Sequence, residues 1–95
     1  MGWKVVEVEP TPNPNARKFV LDQPVCSQPL SFFTAAAARD HALASELFEI
    51  PGVTNLLLLG DFITVSKQPQ AQWEAIVRRV RDILKKSNPP CRNNP

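Results

Sequence analysis

Apolar and polar positions alternate most clearly between residues 53 and 67, where two β-rich runs, Val53–Leu59 and Phe62–Lys67, flank Gly60-Asp61. A two-residue connection beginning with Gly suits a type I′ or II′ turn, so the spacing predicts a hairpin in which Leu59 faces Phe62. Counting outward puts Leu56, Leu58, Ile63 and Val65 on one face and Leu57, Leu59, Phe62 and Thr64 on the other. Both faces are apolar near the turn. Upstream, Trp3–Glu9 alternates as a half-buried strand, with Val6 and Val8 on one side and Trp3, Val5, Glu7 and Glu9 on the other. Lys18–Asp22 resumes the alternation through Phe19 and Leu21 and can fold back on the first strand. Leu30–Phe33 reads as a short edge strand.

Helical spacing is strongest after Pro69, a residue suited to a helix start. From there Trp73, Ile76, Val77, Val80, Ile83 and Leu84 recur at intervals of three and four. That stripe should cover the Leu56, Leu58, Ile63, Val65 face. The opposite side carries Glu74, Arg78, Arg81, Asp82, Lys85 and Lys86 as a solvated face, its basic end matching the helix dipole. Ala42–Phe48 is a second helix that packs through Leu43, Leu47 and Phe48 and ends at Pro51-Gly52. Ala35–Ala38 has helix propensity but little area to bury. In a two-layer domain one helix layer covers one hairpin face, leaving Leu57, Leu59 and Phe62 either as core under another segment or as an apolar docking patch.

Bulk properties narrow the functional classes. A chain of 95 residues builds one core without room for a deep substrate cavity, which weighs against an enzyme. A net charge of +2 supplies no long-range field toward nucleic acid or an anionic membrane, and no run has membrane-spanning length. Cys26 and Cys91 are far apart and form no Cys-x-x-Cys pair, so neither a metal site nor an iron–sulfur ligand set is expected, and a reducing cytoplasm fits. Most of the ten prolines fall in residues 1–30 and 89–95. This marks turns early in the chain and a loose tail over 87–95, after a single domain over 1–86.

Individual residues yield no catalytic constellation. His41, the one histidine, reads as a surface residue, and Asp61 as a turn residue at the hairpin tip. Thr11-Pro12-Asn13-Pro14-Asn15 is stiffer than a plain hairpin connection requires. Followed by Arg17 and Lys18, it can present Asn13, Asn15 and two cations to a carboxylate or phosphate; equally, its asparagines can serve Asx-turns.

Three stretches, Thr11-Pro12-Asn13-Pro14-Asn15-Ala16-Arg17-Lys18-Phe19, Leu47-Phe48-Glu49-Ile50-Pro51-Gly52-Val53 and Gly60-Asp61-Phe62-Ile63-Thr64-Val65-Ser66-Lys67, followed by Trp73, resemble the N-terminal domain of NifU-like Nfu scaffold proteins. The resemblance runs from about Val5 to Leu84. It implies an α+β fold, a small, mainly antiparallel sheet packed on one face by helices as a two-layer sandwich. In that family a Cys-x-x-Cys pair in a separate C-terminal domain holds the cluster. The chain ends before such a domain, so no cofactor is expected here. The resemblance therefore implies a non-catalytic accessory domain that binds proteins of iron–sulfur cluster assembly or recipient apoproteins, as a monomer or weak dimer. The alternative is a small-anion or phosphopeptide module using the Thr11–Lys18 loop.

Overall fold

The computed structural model describes residues 3–86. Five strands, β1 (Val5–Pro10), β2 (Ala16–Leu21), β3 (Cys26–Phe32), β4 (Val53–Gly60) and β5 (Phe62–Lys67), form one antiparallel sheet in the order β1-β2-β5-β4-β3. Helix α1 (Ala42–Phe48) precedes β4, and α2 (Trp73–Lys86) follows β5. The expected tail over 87–95, with Cys91, lies outside the described residues.

The hairpin occupies the centre of the sheet in the register its turn demands: Leu59 pairs with Phe62, Leu58 with Ile63, Leu57 with Thr64 and Leu56 with Val65. Gly60 has φ +58° and no non-glycine described residue has a positive φ, which selects the II′ form. The passing chain pins the tip, since the amides of Leu21 and Val25 donate to the carbonyls of Asp61 and Gly60, each at 2.7 Å.

Strand alternation assigns Phe19, Leu21, Leu56, Leu58, Ile63 and Val65 to one sheet face. All are buried, and all join Leu43, Ala44 and Leu47 of α1 and Ile76, Val80 and Leu84 of α2 in a single core. Both helices therefore lie on the same side, which makes the domain a two-layer α+β sandwich. The hairpin face expected under the last helix alone is shared by α1 and α2.

Three sequence expectations change. A bulge at Val6 puts both Val5 and Val8 toward the core: Val5 pairs with Leu21, Glu7 with Val20, and Val8 with Phe19. Val6 is thrown outward at 55% exposure. The edge strand near residue 30 is longer than expected, spanning Cys26–Phe32 with a register shift between Cys26 and Leu30. Finally, α2 begins at Trp73 rather than at Pro69. Residues 69–70 instead form a turn, with Ala71 N–H donating to the Gln68 carbonyl at 3.0 Å.

Helix α1 starts on an unexpected cap. The Nδ1 of His41 accepts a hydrogen bond from the Ala44 amide at 3.2 Å, and its ring lies 5.5 Å from that of Phe32. His41 is thus a half-buried capping residue rather than a surface one. Nδ1 can accept only in the neutral ring, with the proton on Nε2. Burial pushes the imidazole pKa below its ordinary 6.5, against a smaller upward effect of a hydrogen bond to its own backbone.

Candidate functional site

The Pro/Asn loop is a closed system of local hydrogen bonds. Thr11 Oγ1 donates within the loop, toward the carbonyls of Asn13 and Ala16 at 2.9 and 3.0 Å, and accepts from the Asn13 amide at 3.1 Å. Asn13 Oδ1 accepts from the Asn15 amide at 2.9 Å, an Asx-turn. Asn15 Oδ1 accepts from Lys67 Nζ at 3.2 Å. The remaining two donors of that ammonium reach the carbonyls of Gln68 and Pro69 at 3.2 and 3.3 Å. Lys67 is accordingly buried at 8% exposure with all three of its hydrogens directed at oxygen.

Trp73 fastens this loop to α2. Its Nε1 donates to the Pro14 carbonyl at 3.1 Å, while Arg17 Cζ and Lys67 Nζ lie 5.0 and 5.6 Å from the centre of a Trp73 ring. Cations over an indole face gain from its quadrupole. From the sequence Trp73 is expected in the core stripe, and Lys67 only as the end of a strand. Lys67 was within reach of the alternation argument, since it follows Val65 by two and so points to the helix side.

The same alternation separates Arg17 from Lys18. Arg17 pairs with Val65 on the helix side, whereas Lys18 pairs with Thr64 on the opposite face. There its ammonium stands 4.3 Å from the Phe62 ring centre and 4.0 Å from Glu9 Oε1. The residues singled out in sequence therefore form two groups: Asn13, Asn15 and Arg17 with Lys67 and Trp73 at one end of the sheet, and Lys18 with Leu57, Leu59 and Phe62 on its outer face.

On that outer face Val20, Leu57, Leu59 and Phe62 are each only half-buried. Val20 pairs with Phe62, which pairs with Leu59, so an apolar band crosses three adjacent strands. Both described helices lie on the other side. The Ala-rich segment does not cover the band either, because Ala38 enters the core and Ala35–Ala37 stand in solvent. Phe33, just past β3, is 69% exposed.

Among the described residues no three or more His, Cys, Asp or Glu side chains are grouped to hold a metal ion. No described helix is long and apolar enough to cross a membrane. The arrangement offers apolar area, cations and rigid loops for recognition.

Comparison with known proteins follows the fold. A family model described as scaffold protein Nfu/NifU N terminal matches residues 6–88. The human NFU1 iron-sulfur cluster scaffold homolog, mitochondrial, is 42% identical over 76 residues, covering 78% of this chain and 30% of that protein. Conserved virulence factor C of Staphylococcus haemolyticus is 28% identical over 81 residues, covering 85% of this chain and 22% of that protein. The chain thus spans less than a third of the length of these curated relatives. The solution structure of a NifU-like protein from Saccharomyces cerevisiae is similar at a TM-score of 0.74 and 25% identity, covering 86% of this chain and 77% of that one. The crystal structure of SAV1430 from Staphylococcus aureus has the same fold, with a TM-score of 0.71 at 23% identity over 84% of this chain and 96% of that one. With the family model matching nearly the whole described fold, the chain belongs to the Nfu/NifU N-terminal family of scaffold-protein domains.

Proposed function

We propose that this chain is a non-catalytic docking domain in iron–sulfur cluster assembly that engages scaffold, carrier or recipient proteins through the outer face of β5 and β4. The observation that carries the reading is the half-exposed band of Leu57, Leu59 and Phe62, continued by Val20, on a sheet whose two described helices occupy the other side. Contiguous apolar area rimmed by polar groups is what a protein partner buries, and Lys18 and Glu9 supply such a rim. Membership of the Nfu/NifU family and the scaffold name of the human relative support the biological setting. The proposed unit is a single domain over 1–86 with a loose tail over 87–95, working in a reducing cytoplasm as a monomer or weak dimer.

The alternative, anion or phosphopeptide binding by the Thr11–Lys18 loop, rests on Arg17. Its guanidinium lies over Trp73 at one end of the sheet. It draws less support because Asn13 Oδ1, Asn15 Oδ1 and all three Lys67 donors are engaged within the protein. Affinity capture from the native cell separates the two. Recovery of cluster-assembly proteins that is lost when Leu57, Leu59 and Phe62 are replaced together by Ser supports the docking face. Recovery of phosphoproteins that survives those replacements but not phosphatase treatment overturns it in favour of the loop.

A further inference from the structure

A recess lies away from the outer face, where the α1–β4 and β5–α2 connections meet. Gln68 N–H donates to the Gly52 carbonyl at 2.8 Å, joining the two connections, while Val53 N–H donates to the Ile50 carbonyl at 3.2 Å within the first of them. Gly52 allows their close approach. Its φ is +96°, and a Cβ there would stand 2.6 Å from that of Ala71. The result is a groove of about 510 Å³ beside the first turns of α2. Its apolar lining is Ile50, Pro51, Ala71, Ala75 and Ile76.

The charged residues lining the groove are Arg78 and Arg79, and no carboxylate lines it. Arg79 is shared with a smaller neighbouring recess that contains Glu46, Glu49, Asp82 and Lys86, whereas Arg78 borders the groove alone. Glu74 precedes Arg78 by one helical turn and Asp82 follows it by one, so acids flank the groove along α2 without lining it. An apolar trough with a doubly cationic rim is complementary to a segment that pairs a bulky apolar side chain with carboxylates.

We propose that this groove binds a short acidic peptide segment of a partner protein, a large apolar side chain lying over Pro51, Ala71 and Ala75 and adjacent Asp or Glu side chains meeting Arg78 and Arg79. The site is separate from the outer face, so replacements at Leu57, Leu59 and Phe62 leave it intact and the two readings fail independently. The probe is the acetylated, amidated peptide Asp-Glu-Leu-Phe-Glu, titrated into the ¹⁵N-labelled full chain. Expected shifts centre on the amides of Gly52, Ala71, Gln72, Ala75 and Ile76. Binding should weaken about tenfold when Arg78 and Arg79 are both changed to Glu, and by a similar factor when the three peptide acids become Asn and Gln. Ala75→Trp, at an exposed helix position, should fill the groove and abolish the shifts. The peptide-side change needs no protein variant and so is independent of any effect on folding. Shifts confined to other surfaces, equal binding of the acidic and neutral peptides, or no shift at millimolar peptide would each overturn the proposal.

Discussion

The indole Nε1–H of Trp73 donates to the carbonyl of Pro14 at 3.1 Å, joining the first turn of α2 to the β1–β2 loop across 59 positions of sequence. The same ring carries Arg17 and Lys67, so one side chain organises the end of the sheet. Trp73→Phe keeps an aromatic face but removes the donor and weakens the cation contacts. It should cost about 1–2 kcal/mol in urea unfolding, and amide exchange at Asn13 and Asn15 should accelerate.

The outer face and the core should respond differently to truncation. Leu57→Ser, Leu59→Ser and Phe62→Ser, each at a half-buried position, should cost about 1 kcal/mol apiece, whereas Ile63→Ala, fully buried, should cost about 2–5 kcal/mol. Chemical denaturation of the four variants gives the comparison directly. Losses at the first three matching that at Ile63 would mean that this face is covered.

Protonation should unfasten α1. Because the folded His41 pKa lies below 6.5, the unfolded chain binds the proton more readily. This contribution to stability is full above pH 6.5 and falls away as the pH drops through the folded value. A protonated Nδ1 becomes a donor facing the Ala44 N–H, and its charge opposes the helix N-terminus. Asn at position 41 retains a capping oxygen without titrating, so the His41→Asn variant should show a flatter stability profile between pH 7 and pH 5 by thermal unfolding.

The two described glycines, Gly52 and Gly60, both with positive φ, should separate strain from crowding. Gly60→Ala meets nothing within 4 Å and should cost only the backbone penalty of a positive φ in a II′ turn, about 1–3 kcal/mol. Gly52→Ala adds the collision with Ala71, so its total should reach about 2–5 kcal/mol. Equilibrium unfolding of both variants provides the difference.

Strong local rules account for what was legible in the sequence. Gly60-Asp61 sets the hairpin register and hence which leucines are buried, and α1 spans Ala42–Phe48, ending ahead of Pro51-Gly52 as expected. The bulge at Val6 was hidden because Val5 and Val6 are equally apolar, so a one-residue slip in phase leaves no mark on the pattern. Histidine is outside the usual N-capping set, which concealed the role of His41. The division of the loop residues into two groups follows from alternation at Arg17 and Lys18, but only once the helix side of the sheet is known. The groove at Gly52 and Ala71 was invisible for a different reason: it arises where two connections distant in sequence come together.

The strand order also dictates when structure can appear. β1 and β2 pair with each other, but β2 and β3 reach the rest of the sheet only through β5 and β4, which come later in the chain. During synthesis from the N-terminus, the edge of β2 that will meet β5 and the edge of β3 that will meet β4 both stay open until the central hairpin emerges. Such long-range pairing slows assembly and leaves strand edges available to wrong partners. Closure of the sheet therefore requires the hairpin, and completion of the core requires α2 as well, since Leu56, Leu58, Ile63 and Val65 share one core with Ile76, Val80 and Leu84. A fragment ending at Gly60 should remain unfolded, and a synthetic Val53–Lys67 hairpin supplied separately would lack the two flanking strands that hold it in register.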